Sequence, residues 1–301
     1  MEKIKILAPA KINLILEVTG KRSDGYHDIC SLVEKVNLTD EIEILKHEKH
    51  SIQFAGPWVI PEENTVKKTI DKLSQLFPDR AERYPLKIVI TKHIPPGSGL
   101  GGASSDAAAI LTACNKLWQL GLGQNDLINI GSTIGSDVPL FLTEGPCIIE
   151  GRGEIVHPAG TFPSLTFHLF VPEFQVSTKL IYDNLPSRLL SDLTSAHLRI
   201  KIFVSLWKEN NIKQMEKFLF NKLEEVTRRI YPEVDRAIEC LGDWCGKRFI
   251  LSGSGGGIYA LGTMDRVLLD RKPEIIRHWR HYKLESYYTC LQKEEEQHGN
   301  Y

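Results

Sequence analysis

Pro95-Pro96-Gly97-Ser98-Gly99-Leu100-Gly101-Gly102-Ala103-Ser104-Ser105-Asp106 lies between two segments of opposite character. Before it, Leu86-Lys87-Ile88-Val89-Ile90 is β-branched and reads as a strand, which the two prolines end because they donate nothing to a ladder. After it, Ala107, Ile110, Leu111, Cys114 and Trp118 recur at helical spacing, and Ser104 or Ser105 is expected to cap the first turn. Glycines ahead of a helix let the backbone approach an anion, and the unpaired first-turn N–H groups carry the positive end of the helix dipole. The stretch therefore reads as a phosphate cradle, with every residue from Pro95 to Asp106 a candidate for nucleotide binding.

Other loops fit less well. Gly97, Gly99 and Gly102 match the dinucleotide pattern GxGxxG, but two prolines separate the first glycine from its strand, and no second strand follows closely. A Walker loop needs Lys-Ser/Thr after its last glycine, where this chain has Ala103-Ser104. A plain connector remains open, although it needs fewer glycines and serines than stand here.

Composition narrows the class. With 301 residues, 42% hydrophobic and 25% charged, the chain can bury a large core in one big domain or two ordinary ones. Thirty-seven basic against 38 acidic residues leave a net charge of -1, so no basic field points to nucleic acid or anionic lipid. An anionic substrate has to be held by local charge. The six cysteines (Cys30, Cys114, Cys147, Cys240, Cys245, Cys290) have no CxxC spacing and read as reduced, buried thiols. No apolar run approaches a membrane span, and a cytoplasmic protein without a membrane partner is expected.

Three further stretches carry chemistry. In Ala8-Pro9-Ala10-Lys11-Ile12-Asn13-Leu14, alternation places Ile12, Leu14, Leu16 and Val18 on one face and Lys11, Asn13 and Glu17 on the other. A solvated lysine is the plain reading there. Lys21-Arg22-Ser23-Asp24-Gly25-Tyr26-His27-Asp28 is turn-like, yet an aromatic ring beside an imidazole also suits a nucleobase, one stacking and the other bonding its edge. In Gly131-Ser132-Thr133-Ile134-Gly135-Ser136-Asp137-Val138-Pro139, Asp137 sits among glycine and proline turns, where an aspartate is either a turn former or a loop-borne catalyst.

Elsewhere, Leu32 to Leu45 suggests paired strands turning at Leu38-Thr39-Asp40, and residues 46–63 read as irregular. Asn64 is expected to cap a helix through Val66, Ile70, Leu73 and Phe77. Leu165 to Pro172 reads as a strand opening a second domain, with helical patterns through Phe203 and Trp207 and from Met215 to Leu223. Ser252-Gly253-Ser254-Gly255-Gly256-Gly257 joins two apolar runs as a strand-loop-strand unit, and the charged tail from Lys293 to Gln297 is expected to fray.

The string Pro95-x-x-x-Gly99-Leu100-Gly101-x-x-Ser104-Ser105 resembles the ATP loop of the GHMP small-molecule kinases, and Pro9-x-Lys11-x-Asn13, Gly135-x-Asp137-Val138-Pro139 and Gly151-Arg152-Gly153-Glu154 resemble other segments of that family in the same order. The resemblance spans residue 6 to about 261. It implies an α+β, two-domain GHMP kinase fold: an N-terminal domain (1–160) like ribosomal protein S5 domain 2 and a ferredoxin-like C-terminal domain (161–301). It also implies ATP and Mg2+ as cofactors, Lys11 and Asp137 as catalytic residues, Asn64 and Lys92 near the adenine, and Ser105 as an oxygen for phosphate or metal. Capping by Asn64 and a solvated strand end at Lys92 stay open.

Arg22-x-Asp24-Gly25-Tyr26-His27 resembles the branch acting on a cytidyl diphosphate sugar alcohol, 4-diphosphocytidyl-2-C-methyl-D-erythritol, whose 2-hydroxyl is phosphorylated in non-mevalonate isoprenoid synthesis. By that resemblance Asn13, Tyr26, His27 and Tyr182 bind substrate, and the chain is a monomer or weak homodimer. Asn221-Lys222-Leu223-Glu224 departs from the family's Asn-Asp-x-Glu, since Lys222 replaces an acid. Another alcohol as acceptor, or a nucleotide-binding protein without catalysis, are the alternatives.

Overall fold

The computed structural model describes residues 3–265 and 273–288. Its first half runs β1 (Lys3–Lys21), β2 (His27–Lys46), β3 (Ser51–Ala55), α1 (Thr65–Leu76), α2 (Pro78–Arg83), β4 (Leu86–Thr91), α3 (Gly102–Leu117), α4 (Gln124–Ile134), α5 (Val138–Leu142), β5 (Cys147–Gly151) and β6 (Ile155–Pro158). The second half runs β7 (Thr166–Val171), α6 (Thr178–Asp183), α7 (Leu193–Lys208), α8 (Ile212–Phe218), β8 (Phe220–Asn221), α9 (Glu224–Ile230), α10 (Pro232–Cys245), β9 (Ile250–Leu251), β10 (Ile258–Leu261) and β11 (Arg280–Glu285). The architecture is α+β with two sheets. One is ordered β3-β4-β2-β1-β8, with β5 paired to β2 and β6 to β5; the other is ordered β11-β7-β10-β9.

Alternating apolar residues place each layer. Ile42, Ile44, Ile88 and Ile90 point from β2 and β4 onto Val66, Ile70 and Leu73 of α1 and Ile110, Leu111 and Cys114 of α3, with Trp118 closing that core. On the second sheet, Phe167 and Leu169 share a core with Ala196, Ile200, Phe203 and Trp207 of α7, while Phe170 and Leu251 share another with Val234, Ala237 and Leu241 of α10. Strand β8 pairs in parallel with β1, so a segment from the second half completes the first sheet.

Several expectations need correction. No turn interrupts β2: its pairing with β1 jumps between Pro9↔Thr39 and Ala10↔Val36, and this irregularity absorbs the residues read as a turn. Asp40 points inward instead, accepting hydrogen bonds from the backbone N–H groups of His93 (2.6 Å) and Ile94 (2.8 Å). A second shift between Asn13 and Ile15 reverses the alternation of β1, so Leu16 lines the same cleft as Lys11 and Asn13, and Glu17 lies on the other face. Ser104 and Ser105 do not cap α3; the helix starts earlier, at Gly102, with Gly101 as its left-handed cap residue at φ 74°. Strand β3 occupies part of the stretch read as irregular, and β8 breaks the helical pattern between Met215 and Leu223.

Asn64 caps α1 as expected, its Oδ1 accepting from the Lys67 N–H at 3.0 Å. Cys30, Cys114 and Cys147 are buried free thiols, Cys240 and Cys245 are partly exposed, and Cys290 and the tail lie outside the described residues. Among the described residues no helix is long and apolar enough to cross a membrane.

Candidate active site

Two cavities meet at the glycine-rich loop. The smaller, about 220 Å³, is lined by most of Pro95 to Asp106 together with Phe54, Ile60, Asn64, Thr65 and Lys92. The larger, about 810 Å³, holds Lys11, Asn13, Tyr26, His27, Asp137, Arg152 and Tyr182. Gly99 and Gly101 border both. Gly97, Gly99 and Gly101 have φ of 69°, 80° and 74°, conformations that a side chain resists, and the Lys11 N–H holds the Leu100 carbonyl at 3.0 Å.

The loop is buttressed from the opposite half of the chain. A Cβ on Gly255 would overlap the Ser98 carbonyl and Gly99 nitrogen, one on Gly257 would lie 2.9 Å from the Ser98 oxygen, and one on Gly99 would meet Ser252 and Gly255. Gly253 and Ser254 continue from this contact into the larger cavity. Asn221 fixes the buttress by donating to the carbonyls of Leu251 (2.8 Å) and Gly253 (2.7 Å). Backbone-to-backbone packing explains glycine at these positions better than turn geometry does.

In the smaller cavity, Lys92 is not a free cation. It is buried and ion-paired with Asp40 and with Asp106, at 2.6 Å for the latter. Burial drives the Asp106 carboxyl up to about 7 against the opposing pull of Lys92, and its Oδ1 is buried without a partner. Asn64 lines this cavity as well as capping α1. Ser98 Oγ donates to the Pro95 carbonyl at 2.6 Å, whereas Ser105 is buried behind the wall and lines neither cavity, its Oγ without a partner.

In the larger cavity, Lys11 Nζ donates to Asn13 Oδ1 at 2.6 Å, and Asn13 Nδ2 donates to Ser31 Oγ at 2.8 Å. Tyr259, from the second sheet, donates its hydroxyl to the Asn13 carbonyl at 2.8 Å. Lysine and asparagine are thus fixed by partners on two strands and across both halves. Burial lowers the Lys11 pKa, and the negative charge of Asp137 partly opposes that. Asp137 precedes α5 without capping it, and among the described residues its carboxylate has no hydrogen-bond partner. Its surroundings are close-packed: a Cβ on Gly153, whose φ is 117°, would stand 3.0 Å from Asp137 Oδ1.

At the far end, the His27 and Tyr182 rings lie 5.2 Å apart and tilted by 30°. His27 Nδ1 is buried and unpartnered, and burial holds the imidazole pKa below its ordinary value. Tyr26 is 56% exposed, with the Arg152 guanidinium 5.2 Å from its ring centre. Arg152 went unassigned in the sequence, although its place in Gly-Arg-Gly-Glu was a signal; Glu154 holds its backbone N–H at 2.6 Å. Lys222 is outside the cavity lining, 3.5 Å from Glu17 and packed on the Phe220 ring. A cation there balances a buried carboxylate.

The arrangement can place an anionic nucleotide against glycine backbone on one side, and a hydroxyl beside a cation and a free carboxylate on the other. Known proteins resemble this chain in sequence and in fold. Residues 64–145 match the family model described as GHMP kinases N terminal domain, and residues 203–272 match GHMP kinases C terminal. The 4-diphosphocytidyl-2-C-methyl-D-erythritol kinase of Syntrophus aciditrophicus is 36% identical over 86% of this chain and 89% of its own, and that of Thermotoga maritima is 32% identical over 87% and 93%. A crystal structure of 4-(cytidine 5'-diphospho)-2C-methyl-D-erythritol kinase superposes with a TM-score of 0.75 at 28% identity, covering 94% of this chain and 98% of the other. The homoserine kinase of Cytophaga hutchinsonii, at 20% identity and TM-score 0.69 over 95% of each chain, shares the fold. The chain belongs to the 4-diphosphocytidyl-2-C-methyl-D-erythritol kinases, a family of GHMP kinases that are phosphotransferases with an alcohol as acceptor.

Proposed function

We propose that this enzyme transfers the γ-phosphoryl group of ATP to the 2-hydroxyl of 4-diphosphocytidyl-2-C-methyl-D-erythritol, in the cytoplasm, as a monomer or weak homodimer and as a step of non-mevalonate isoprenoid synthesis. The observation that carries the proposal is the junction of the two cavities at Gly99 and Gly101, with Lys11 and Asp137 in the larger one. Transfer to an alcohol needs a proton acceptor, a positive charge near the developing oxyanion and a cradle for the phosphates.

Asp137 is the base: its carboxylate is unengaged and faces the cavity where the hydroxyl enters. Lys11 supplies the charge, held in place by Asn13, which also contacts substrate. Pro95 to Asp106 hold the triphosphate, with Asn64 and Lys92 walling the nucleotide cavity. Ser105 fits a magnesium role through its orphaned buried hydroxyl, a hard oxygen on the first turn of α3. Bound there, the metal would neutralise charge on the β- and γ-phosphates.

His27 and Tyr182 receive the cytosine: the imidazole offers one hydrogen bond to the base edge, and the phenol ring beside it offers a stacking face. Tyr26 closes the mouth, where Arg152 adds positive charge for the diphosphate. A domain division at residue 160 belongs to the same reading and falls between β6 and β7.

ADP release with magnesium-ATP tests the substrate, offering the cytidyl-methylerythritol beside homoserine, mevalonate and galactose. Turnover with the first alone is expected. Turnover with another alcohol instead would overturn the cytosine assignment of His27 and Tyr182, and silence with all four despite ATP binding would overturn the kinase reading.

A further inference from the structure

Cys30, on β2, stands directly opposite Glu17 of β1 and Glu150 of β5, so three adjacent strands present a thiol between two carboxylates on one sheet face. It is the face turned away from the substrate cleft, which Leu16, Ile29 and Ile149 line from the neighbouring positions. Helix α7 packs over it, with Ala196 and Ile200 buried against the same core as Cys30. From that helix His197 reaches Glu150, its Nε2 against Oε1.

Each flanking carboxylate has a different fate. Glu17 is satisfied by Arg199 (2.8 Å), Ser191 (2.6 Å) and Lys222 (3.5 Å), which balance its charge. Glu150 has His197 alone as a side-chain partner among the described residues. The Cys30 thiol is fully buried and makes no hydrogen bond among the described residues. Without a cation this would be a poor place for sulfur to ionise: burial first, then Glu150 and Glu17, push the thiol up to about 12.

We propose that Cys30, Glu150 and His197 form a binding site for zinc. Sulfur, carboxylate oxygen and imidazole nitrogen are a ligand set zinc accepts, and the three ligand atoms lie within 4.8 Å of one another. A tetrahedral zinc with bonds of about 2.0–2.3 Å needs them about 3.3–3.8 Å apart, so His197 Nε2 and Glu150 Oε1, in hydrogen-bond contact at 2.5 Å, part to admit the ion while the Cys30 thiol turns toward them. On binding, the thiol loses its proton to solvent and the His197 proton moves from Nε2 to Nδ1, freeing Nε2 as a ligand, so that thiolate plus carboxylate balance the two charges of the metal beside a neutral imidazole. His197, half exposed at 49%, gives the ion its path from solvent, and the open fourth position takes water. The metal would tie α7 to the sheet, behind the substrate cleft and apart from it. Magnesium, which prefers oxygen, is poorly served by this set.

Titration of the metal-stripped full chain with zinc, in competition with a chromogenic chelator, tests the site. One zinc per chain is expected, accompanied by a rise in Tm. His197→Ala and Glu150→Gln should each weaken binding by at least about 100-fold and abolish the Tm rise, while His197→Ala retains kinase turnover. Cobalt(II) substitution should give a thiolate-to-metal charge-transfer band that Cys30→Ser removes and Cys240→Ser with Cys245→Ser leaves intact. Absence of stoichiometric binding, or binding unchanged in His197→Ala, would overturn the proposal. Because His197 is at the surface, that variant keeps the test decisive even if Cys30→Ser does not fold.

Discussion

Lys11 is a cation in a place that disfavours one. Burial pulls its pKa down while Asp137 holds it up, so the charged form is lost at a lower pH than for an ordinary lysine. Transfer that depends on this charge should fall on the basic side as pH rises through that lowered value. Lys11→Arg keeps its charge at all working pH; we expect turnover reduced by about 100-fold, with the basic limb of kcat/KM abolished. A limb that persists in the arginine variant would assign it to another group. At the opposite end of the cavity, His27→Ala removes the buried imidazole and should raise KM for the cytidyl substrate about 10-fold or more while sparing KM for ATP. An unchanged substrate KM would move the cytosine elsewhere.

At the scale of elements, the phosphate loop depends on contacts from three directions. Strand β1 holds the Leu100 carbonyl, the loop before β10 presses Gly255 against Ser98, and Asp40 with Lys92 and Asp106 anchors the two ends of the loop from beneath. Gly255→Ala forces a methyl into backbone, and we expect about 1–3 kcal/mol of destabilisation with weaker ATP binding, read by denaturant unfolding and nucleotide titration. The buried triad has its own pH signature. Because Asp106 binds its proton more tightly folded than unfolded, its contribution to stability is present below about 4 and is lost as pH rises toward about 7. Asp106→Asn should flatten the fall in Tm across that window. A wild-type slope in the variant would place the titration elsewhere, with Glu34, which burial pushes up to about 8, the next group to test.

Across the whole molecule, what was legible in the sequence is what depends on local spacing. The glycine loop, the Lys11-x-Asn13 pair, the Asp24-Gly25-Tyr26-His27 turn and Asp137 each announce themselves within a dozen residues, and the fold brings them to two joined cavities. What was not legible depends on register and on long-range packing. The shift between Asn13 and Ile15 decides which face Leu16 and Glu17 occupy, and no local pattern marks it. The same holds for the contact of Gly255 with Ser98, 157 positions away by their numbers, and for the column of Glu17, Cys30 and Glu150. For Lys92, expected near the adenine, a solvated strand end stayed open because the two acids it pairs with come from other elements, β2 and α3.

The division of labour between the cavities is tested most directly by turnover of Asp137→Asn with magnesium-ATP and the cytidyl-methylerythritol, measured beside its dissociation constant for ATP. Loss of about 10³-fold or more in kcat, with ATP affinity within about 3-fold of the wild type, is the expected result. Wild-type-like turnover would remove Asp137 from the proton-transfer step and separate the larger cavity from the chemistry.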